Sequence, residues 1–420
     1  MTRLFISLVH RRPTPTSSLA QLHHGCRGRR CRSSSPLLFR FIAPQPLTSS
    51  FHSTPSHFEP LERKEKHPNT NNASSPPTPT PPQSPSFRSS AEEQIESSTR
   101  AIGQVTFLNS TTSGRIVLAS LALGDPTLAA FAALGAITST SAAHIVGLDA
   151  QSRKDGLWGY NGALVGCAAS AFGGGGAYYY LPYVAASTML GAAATPVVSA
   201  SLKGAMPNVP QWTWSFNIVA LTMLLRSRPL SDVVVVVDES IANGTASSEE
   251  AAAAVVAAAS STASVAALGD ALASPLAGIS QIFVVDSPIT GAGILVATYT
   301  YSPKLAMHAL GGSAVGCLVG LLHGASLADV SAGLWGYNSA LASMAVGVFF
   351  VESRESLVLS GTCAAAAASL FGGLSTAFGT YGAPCLTLPF CAVASAAYLL
   401  EGHVPGLRLA KEPHSPEKNC

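Results

Sequence analysis

From Ala101 onward the chain alternates between long apolar runs and short polar breaks. Runs at about 126–147, 156–175, 178–202 and 212–226, and again at about 288–301, 304–325, 333–351, 357–380 and 385–400, predict helices. Each is read as long enough for the roughly 30 Å hydrocarbon core of a bilayer. Weakly apolar stretches stand at the head of each series, Gly103 to Leu108 and Gly278 to Val285, and near each tail, Trp212 to Phe216 and Cys385 to Phe390. They are too short or interrupted for full spans, and short segments in matching places point to re-entrant half-helices that aim polar groups at a ligand.

The two series are copies of one unit. Gly156-Leu157-Trp158-Gly159-Tyr160-Asn161 recurs as Gly333-Leu334-Trp335-Gly336-Tyr337-Asn338, an offset of 177 residues. The same offset carries Gln104 onto Gln281, Gly114 onto Gly291, Pro126 onto Pro303, Gly135 onto Gly312 and Leu164 onto Leu341. A duplicated membrane unit places the substrate path at the interface of its halves. An odd number of crossings per half inverts the second half, and about five are expected here.

Composition agrees with a bilayer environment: 47% of the 420 residues are hydrophobic and 11% are charged, against about 25% charged in a typical soluble domain. Most Arg and Lys lie before residue 100 or after residue 400, which leaves the middle almost uncharged. Residues 1–56 carry Arg3, Arg11, Arg12, Arg27, Arg29, Arg30, Arg32 and Arg40 among Ser, Leu and Phe, with no Asp or Glu. That composition suits a mitochondrial transit peptide, the alternatives being a disordered cytosolic tail or an upstream false start. The membrane is accordingly either the plasma membrane or the mitochondrial inner membrane. Residues 57–100, rich in Pro, Ser and Thr, read as a disordered linker. The first repeat is placed at 101–227 and the second at 276–402, with a C-terminal tail at 403–420. The Ala/Ser/Val-rich 228–275 joins the halves as a loop that has room for a helix; its Asn243-Gly244-Thr245 sequon matters only in a glycosylating lumen.

The candidate chemistry is that of amides, hydroxyls and rings. No acidic pair, catalytic triad or cationic cluster lies in the spans, which argues against an enzyme and against ion coupling. His144, His308 and His323 fall in apolar runs as hydrogen-bonded packing residues. The eight cysteines form no CxxC pair and indicate neither a zinc site nor a disulfide framework. No cofactor and no nucleic-acid partner is called for. Trp158 and Trp335 read as interfacial anchors or packing, and the motif glycines as sites of close helix approach.

The twin Gly-Leu-Trp-Gly-Tyr-Asn elements, the heads Gly103-Gln104-Val105-Thr106-Phe107 and Gly278-Ile279-Ser280-Gln281-Ile282-Phe283, and the tail Leu386-Thr387-Leu388-Pro389-Phe390 resemble the urea transporter family over about 101–402. The resemblance implies an all-α integral membrane fold of two inverted repeats with re-entrant half-helices. It also implies assembly as a homotrimer in the lipid bilayer, one pore within each protomer, and urea as permeant. Gln104 and Gln281 match glutamines at the two mouths. Phe107 and Tyr160 match an aromatic pair forming a flat slot, and Tyr337 an aromatic of the second slot. Leu164 and Leu341 match aliphatic residues beside the slots, and Thr213 and Thr387 the hydroxyls of the narrow centre. The chain departs from the pattern at Val284, where an aromatic is expected, at Ser215 opposite Pro389, and at Asn109-Ser110 and Asp286-Ser287 in place of Asn-Pro.

A planar, neutral solute suits these residues. Losing water unpaired would cost urea roughly 2–7 kcal/mol per polar group. A Gln amide both donates and accepts, and conduction requires compensation without trapping. Val284 leaves open a channel for another small solute such as an amide or ammonia, and Ser215 a non-transporting scaffold.

Overall fold

The computed structural model describes residues 87–173, 181–226 and 261–419. Among the described residues the chain is helical, with one β-bridge, Phe350 to Leu409. Seven of the described helices belong to the first half: α1 (Phe87–Gln104), α2 (Thr111–Gly124), α3 (Pro126–Val146), α4 (Ala150–Lys154), α5 (Tyr160–Phe172), α6 (Leu181–Ala205) and α7 (Trp214–Arg226). Seven belong to the second: α8 (Ser261–Gln281), α9 (Pro288–Tyr301), α10 (Pro303–Leu322), α11 (Leu327–Ser331), α12 (Tyr337–Phe349), α13 (Arg354–Gly379) and α14 (Leu388–Tyr398).

Local chemistry starts and stops these helices at matching places. Ser110 and Ser287 accept a hydrogen bond from the backbone N–H three residues on and open α2 and α9. Asp125-Pro126 and Ser302-Pro303 open α3 and α10, each pairing a capping oxygen with a proline whose missing N–H is no loss at a first turn. Gly156 and Gly333 stand at φ 74° and 78°. A Cβ there would run into the backbone of Ala101 in the first half and of Ala277 and Gly278 in the second, so only glycine fits.

The packing suits a bilayer. Four helices, α3, α6, α10 and α13, are long and apolar enough to cross a membrane by length and composition. Their outward faces carry exposed Ile137, Leu190, Val197, Met307, Leu318 and Val358. Among the described residues, none of the buried side chains is Asp, Glu, Lys, Arg or His. Apolar side chains from both halves share one core, in which Leu164 and Leu341 are each 1% exposed. At the contact between halves, α2 and α9 run in opposite senses, for Gly124 lies against Thr290 while Ser120 lies against Gly293.

Three expectations change. The linker expected over 57–100 gives way at Phe87 to α1, whose Ser97 and Ser98 are buried and whose Gln94 donates to Ser141 (3.1 Å). The run folds because one face of it packs on α3, while Glu92, Glu93 and Glu96 stay exposed. The heads Gly103–Leu108 and Gly278–Val285 are accordingly the ends of helices that begin upstream, not separate short segments. Several runs expected as full spans hold short helices: α5, α7 and α12 have 13 residues and α14 has 11, about 20 Å or less at 1.5 Å per residue. Residues 1–86 and the sequon lie outside the described residues.

Residues 408–419 pack onto the body. Val351 N donates to Arg408 O (2.9 Å) and Ala410 N to Phe349 O (2.9 Å). The Asn419 amide donates to the carbonyls of Gly347 (3.1 Å), Val348 (2.7 Å) and Phe350 (3.3 Å), which closes the end of α12. Glu417 accepts from Ser302 Oγ (2.5 Å) and Lys304 N (2.8 Å) at the start of α10. His414 stacks on Tyr301 with ring centroids 5.3 Å apart.

Candidate functional site

The head of each half ends in a turn that a right-handed residue cannot make. Phe107 N donates to Gln104 O (3.1 Å) and Leu108 N to Gly103 O (3.0 Å), the pair of bonds that closes a helix through a left-handed residue. In the second half Val284 N bonds to Gln281 O (3.0 Å) and Val285 N to Ser280 O (3.3 Å). The left-handed position, usually glycine, is Phe107 (φ 62°) in one copy and Val284 (φ 63°) in the other. Just before each closing turn, the glutamine is held by its amide nitrogen: Gln104 Nε2 donates to Asp155 O and Gln281 Nε2 to Ala332 O, both at 2.9 Å. Each leaves its Oε1 to accept from another donor.

The repeated Tyr-Asn pair anchors the tail. Tyr160 Oη donates to Trp212 O, and Asn161 Nδ2 reaches the same carbonyl at 3.4 Å. Tyr337 Oη donates to Leu386 O (2.6 Å), joined by Asn338 Nδ2 (3.2 Å). Trp212 and Leu386 complete the set of left-handed non-glycine residues among those described, at φ 42° and 50°. All four sit in matched pairs beside the site, and such backbone strain persists where surrounding contacts hold it.

One residue beyond each anchor, the halves meet. Thr213 Oγ1 and Thr387 Oγ1 are 2.7 Å apart, one hydroxyl donating to the other. Asn217 Nδ2 donates to Thr387 Oγ1 (2.9 Å), Asn217 Oδ1 accepts from Thr387 N (3.0 Å), and Cys391 Sγ lies 3.1 Å from Thr213 Oγ1. The pairing runs at an offset of 174, not 177, because the segment between α5 and α7 is three residues longer than its counterpart. Ser215, opposite Pro389, bonds to Ser199 on α6 (2.7 Å).

The rings form a box rather than a bare slot. Phe107 meets Trp212 (6.5 Å between centroids), Phe349 (6.3 Å) and Phe390 (6.3 Å), all edge to face. Trp212 also meets Phe349 (4.9 Å), Phe390 (5.7 Å) and Tyr398 (6.4 Å). The ring partners of Phe107 are therefore these three rather than Tyr160, whose hydroxyl serves the anchor. Tyr337 packs against Phe371 (5.6 Å). Leu164 and Leu341 lie one turn beyond the two tyrosines, in the core. Elsewhere, half-buried His308 bonds to Ser360 (2.9 Å) and Ser343 (3.2 Å).

Sequence reasoning missed Trp212, Asn217, Cys391 and Phe349. The first three lie within four residues of Thr213 or Thr387, but even at an offset of 174 Trp212 falls opposite Leu386 and Asn217 opposite Cys391, so the repeat does not mark them. Phe349 carries no local signal, since it joins the box across the two halves.

A helical membrane protein whose two like halves meet at a buried, uncharged, polar centre is built to handle a small neutral solute rather than to react with one. The chain belongs to the urea transporter family, whose model, described as "UT: Urea transporter", matches residues 95–402. It is similar to "Urea transporter 1" of Ovis aries, 30% identical over 312 residues that cover 72% of this chain and 75% of the relative. It is similar also to "Urea transporter 1" of Rattus norvegicus, 29% identical over 332 residues, 76% of this chain and 80% of the relative.

Proposed function

We propose that the protein conducts urea passively across a membrane, through a path within each subunit that runs from Gln104 and Phe107 past Thr213 and Thr387 to Gln281 and Val284. The observation that carries this reading is the Thr213–Thr387 pair with Asn217 beside it. Each group there can donate and accept, and none is charged. Urea has one carbonyl and two amino groups, and it finds acceptors at the free Gln Oε1 atoms and partners of both kinds at the hydroxyls. Coupling to an ion gradient would require charged groups inside the bilayer, and the buried polar set among the described residues holds no Asp, Glu, Lys or Arg.

The direct bond between the threonines closes the path at its middle, yet lightly. A neutral hydrogen bond contributes about 1 kcal/mol, so a rotamer change that hands both hydroxyls to a permeant costs little more than thermal energy. The antiparallel meeting of α2 with α9, its counterpart, supports an inverted repeat. Two equivalent helices that pack antiparallel are related by an axis across their length, which lies in the membrane plane when the helices span it. The exposed apolar faces leave room for the homotrimer that the family resemblance implies.

The test is urea flux into proteoliposomes holding the full chain, followed by stopped-flow swelling. The parent should exceed empty vesicles clearly. Thr387→Val, which keeps the shape and removes the hydroxyl, should lower urea permeability about tenfold, and Gln104→Leu should do the same at the mouth. A parent equal to empty vesicles overturns the reading.

A further inference from the structure

One ring at the centre has no counterpart in the other half. Trp212 stands where the second half has Leu386, on the same left-handed backbone, with its carbonyl held by the same Tyr-Asn pair. The fold therefore needs the backbone at this place and does not need an indole. The side chain is 5% exposed, boxed by Phe107, Phe349, Phe390 and Tyr398, and its Nε1–H has no hydrogen-bond partner. A buried donor left unpaired is costly, and tryptophan normally finds an acceptor when buried. Trp212 also bridges two parts of the proposed path, because its ring touches Phe107 at the mouth and its chain neighbour Thr213 forms the centre.

We propose that Trp212 is a specificity-determining residue, a subsite for the carbonyl oxygen of a small planar amide between the Phe107 mouth and the threonine pair. The indole N–H donates to the permeant's carbonyl, and the ring bars solutes wider than urea. At Gln104 the free Oε1 accepts from the permeant's amino groups, so that the mouth offers an acceptor and then a donor. The second mouth, with Leu386 and Val284, lacks this donor. The assignment rests on the path reading above.

The experiment compares urea, thiourea and N-methylurea fluxes through the full chain and through Trp212→Phe and Trp212→Leu in proteoliposomes, with folding checked by gel filtration. Thiocarbonyl sulfur is a poorer acceptor than oxygen, so an indole donor should favour urea over thiourea. Trp212→Phe keeps a ring and loses the N–H; its urea-to-thiourea ratio should fall about tenfold. Trp212→Leu should lose the same preference and admit N-methylurea as well. Should one variant not fold, the other decides by the urea-to-thiourea ratio. A conducting parent whose ratio survives in the folded variant overturns the Trp212 assignment alone, whereas a folded parent that conducts no urea overturns the path reading with it.

Discussion

At the scale of single residues, the site is paid for in backbone strain. A β-branched side chain in the left-handed region is rare, and holding it there costs about 1–2 kcal/mol; Val284 does so at φ 63°. Val284→Gly should therefore raise stability by about 1 kcal/mol, read as an upward shift of thermal unfolding in detergent. Phe107 makes the same turn, but its ring packs on three others, so glycine there would forfeit that packing. The sequence singles out Gln104 and Gln281 by repeat and resemblance and Thr213 and Thr387 by resemblance alone, and the structure brings the two threonines into contact. It could not show that Tyr160 and Tyr337 spend their hydroxyls on backbone carbonyls, because a tyrosine in a motif looks alike whether its ring or its oxygen is used.

At the scale of helices, glycine divides into two kinds that sequence does not separate. Gly291 in α9 presses on the backbone of α8, where a Cβ would collide with Leu276 O, while Gly311 in α10 has nothing within 4 Å of an added Cβ. Gly291→Ala should cost about 3 kcal/mol, whereas Gly311→Ala should gain about 0.5–1 kcal/mol from helix propensity. Unfolding of purified protein in sodium dodecyl sulfate titrations measures both. A loss at Gly311 would instead reveal another copy of the chain on that face. Periodicity gave the helices that are long and apolar. It missed α1, whose polar face reads as linker until α3 is seen beside it, and it overstated α5, α7 and α12, since an apolar run does not disclose where its helix stops.

At the scale of the whole molecule, the two halves and the tail act on one another. Outside the spans, burial pushes the Glu417 carboxyl up, but the bonds from Ser302 and Lys304 N outweigh it and hold it below its ordinary 4.5. Burial, with Lys418 adding to it, holds His414 below its ordinary 6.5. Both folded values are depressed, so both groups stabilise the docked tail above their ordinary values and lose that contribution as pH falls. The protection of the Val351 and Ala410 amides, taken relative to their intrinsic exchange rates at each pH, should fall first below about pH 6.5 and again below about pH 4.5, and Glu417→Gln should remove the second step. The sequence marks residues 403–420 only as a tail, because its partners are distant in sequence and carry no mark of it.

The three carbonyls taken by Asn419 lie beside Phe349, a wall of the aromatic box, and the urea transporter match ends at residue 402. The doorpost of the proposed entrance is thus braced by chain beyond the stretch that the family match covers. A change at Asn419 would therefore loosen the frame of the door from a place some seventy residues away in the chain.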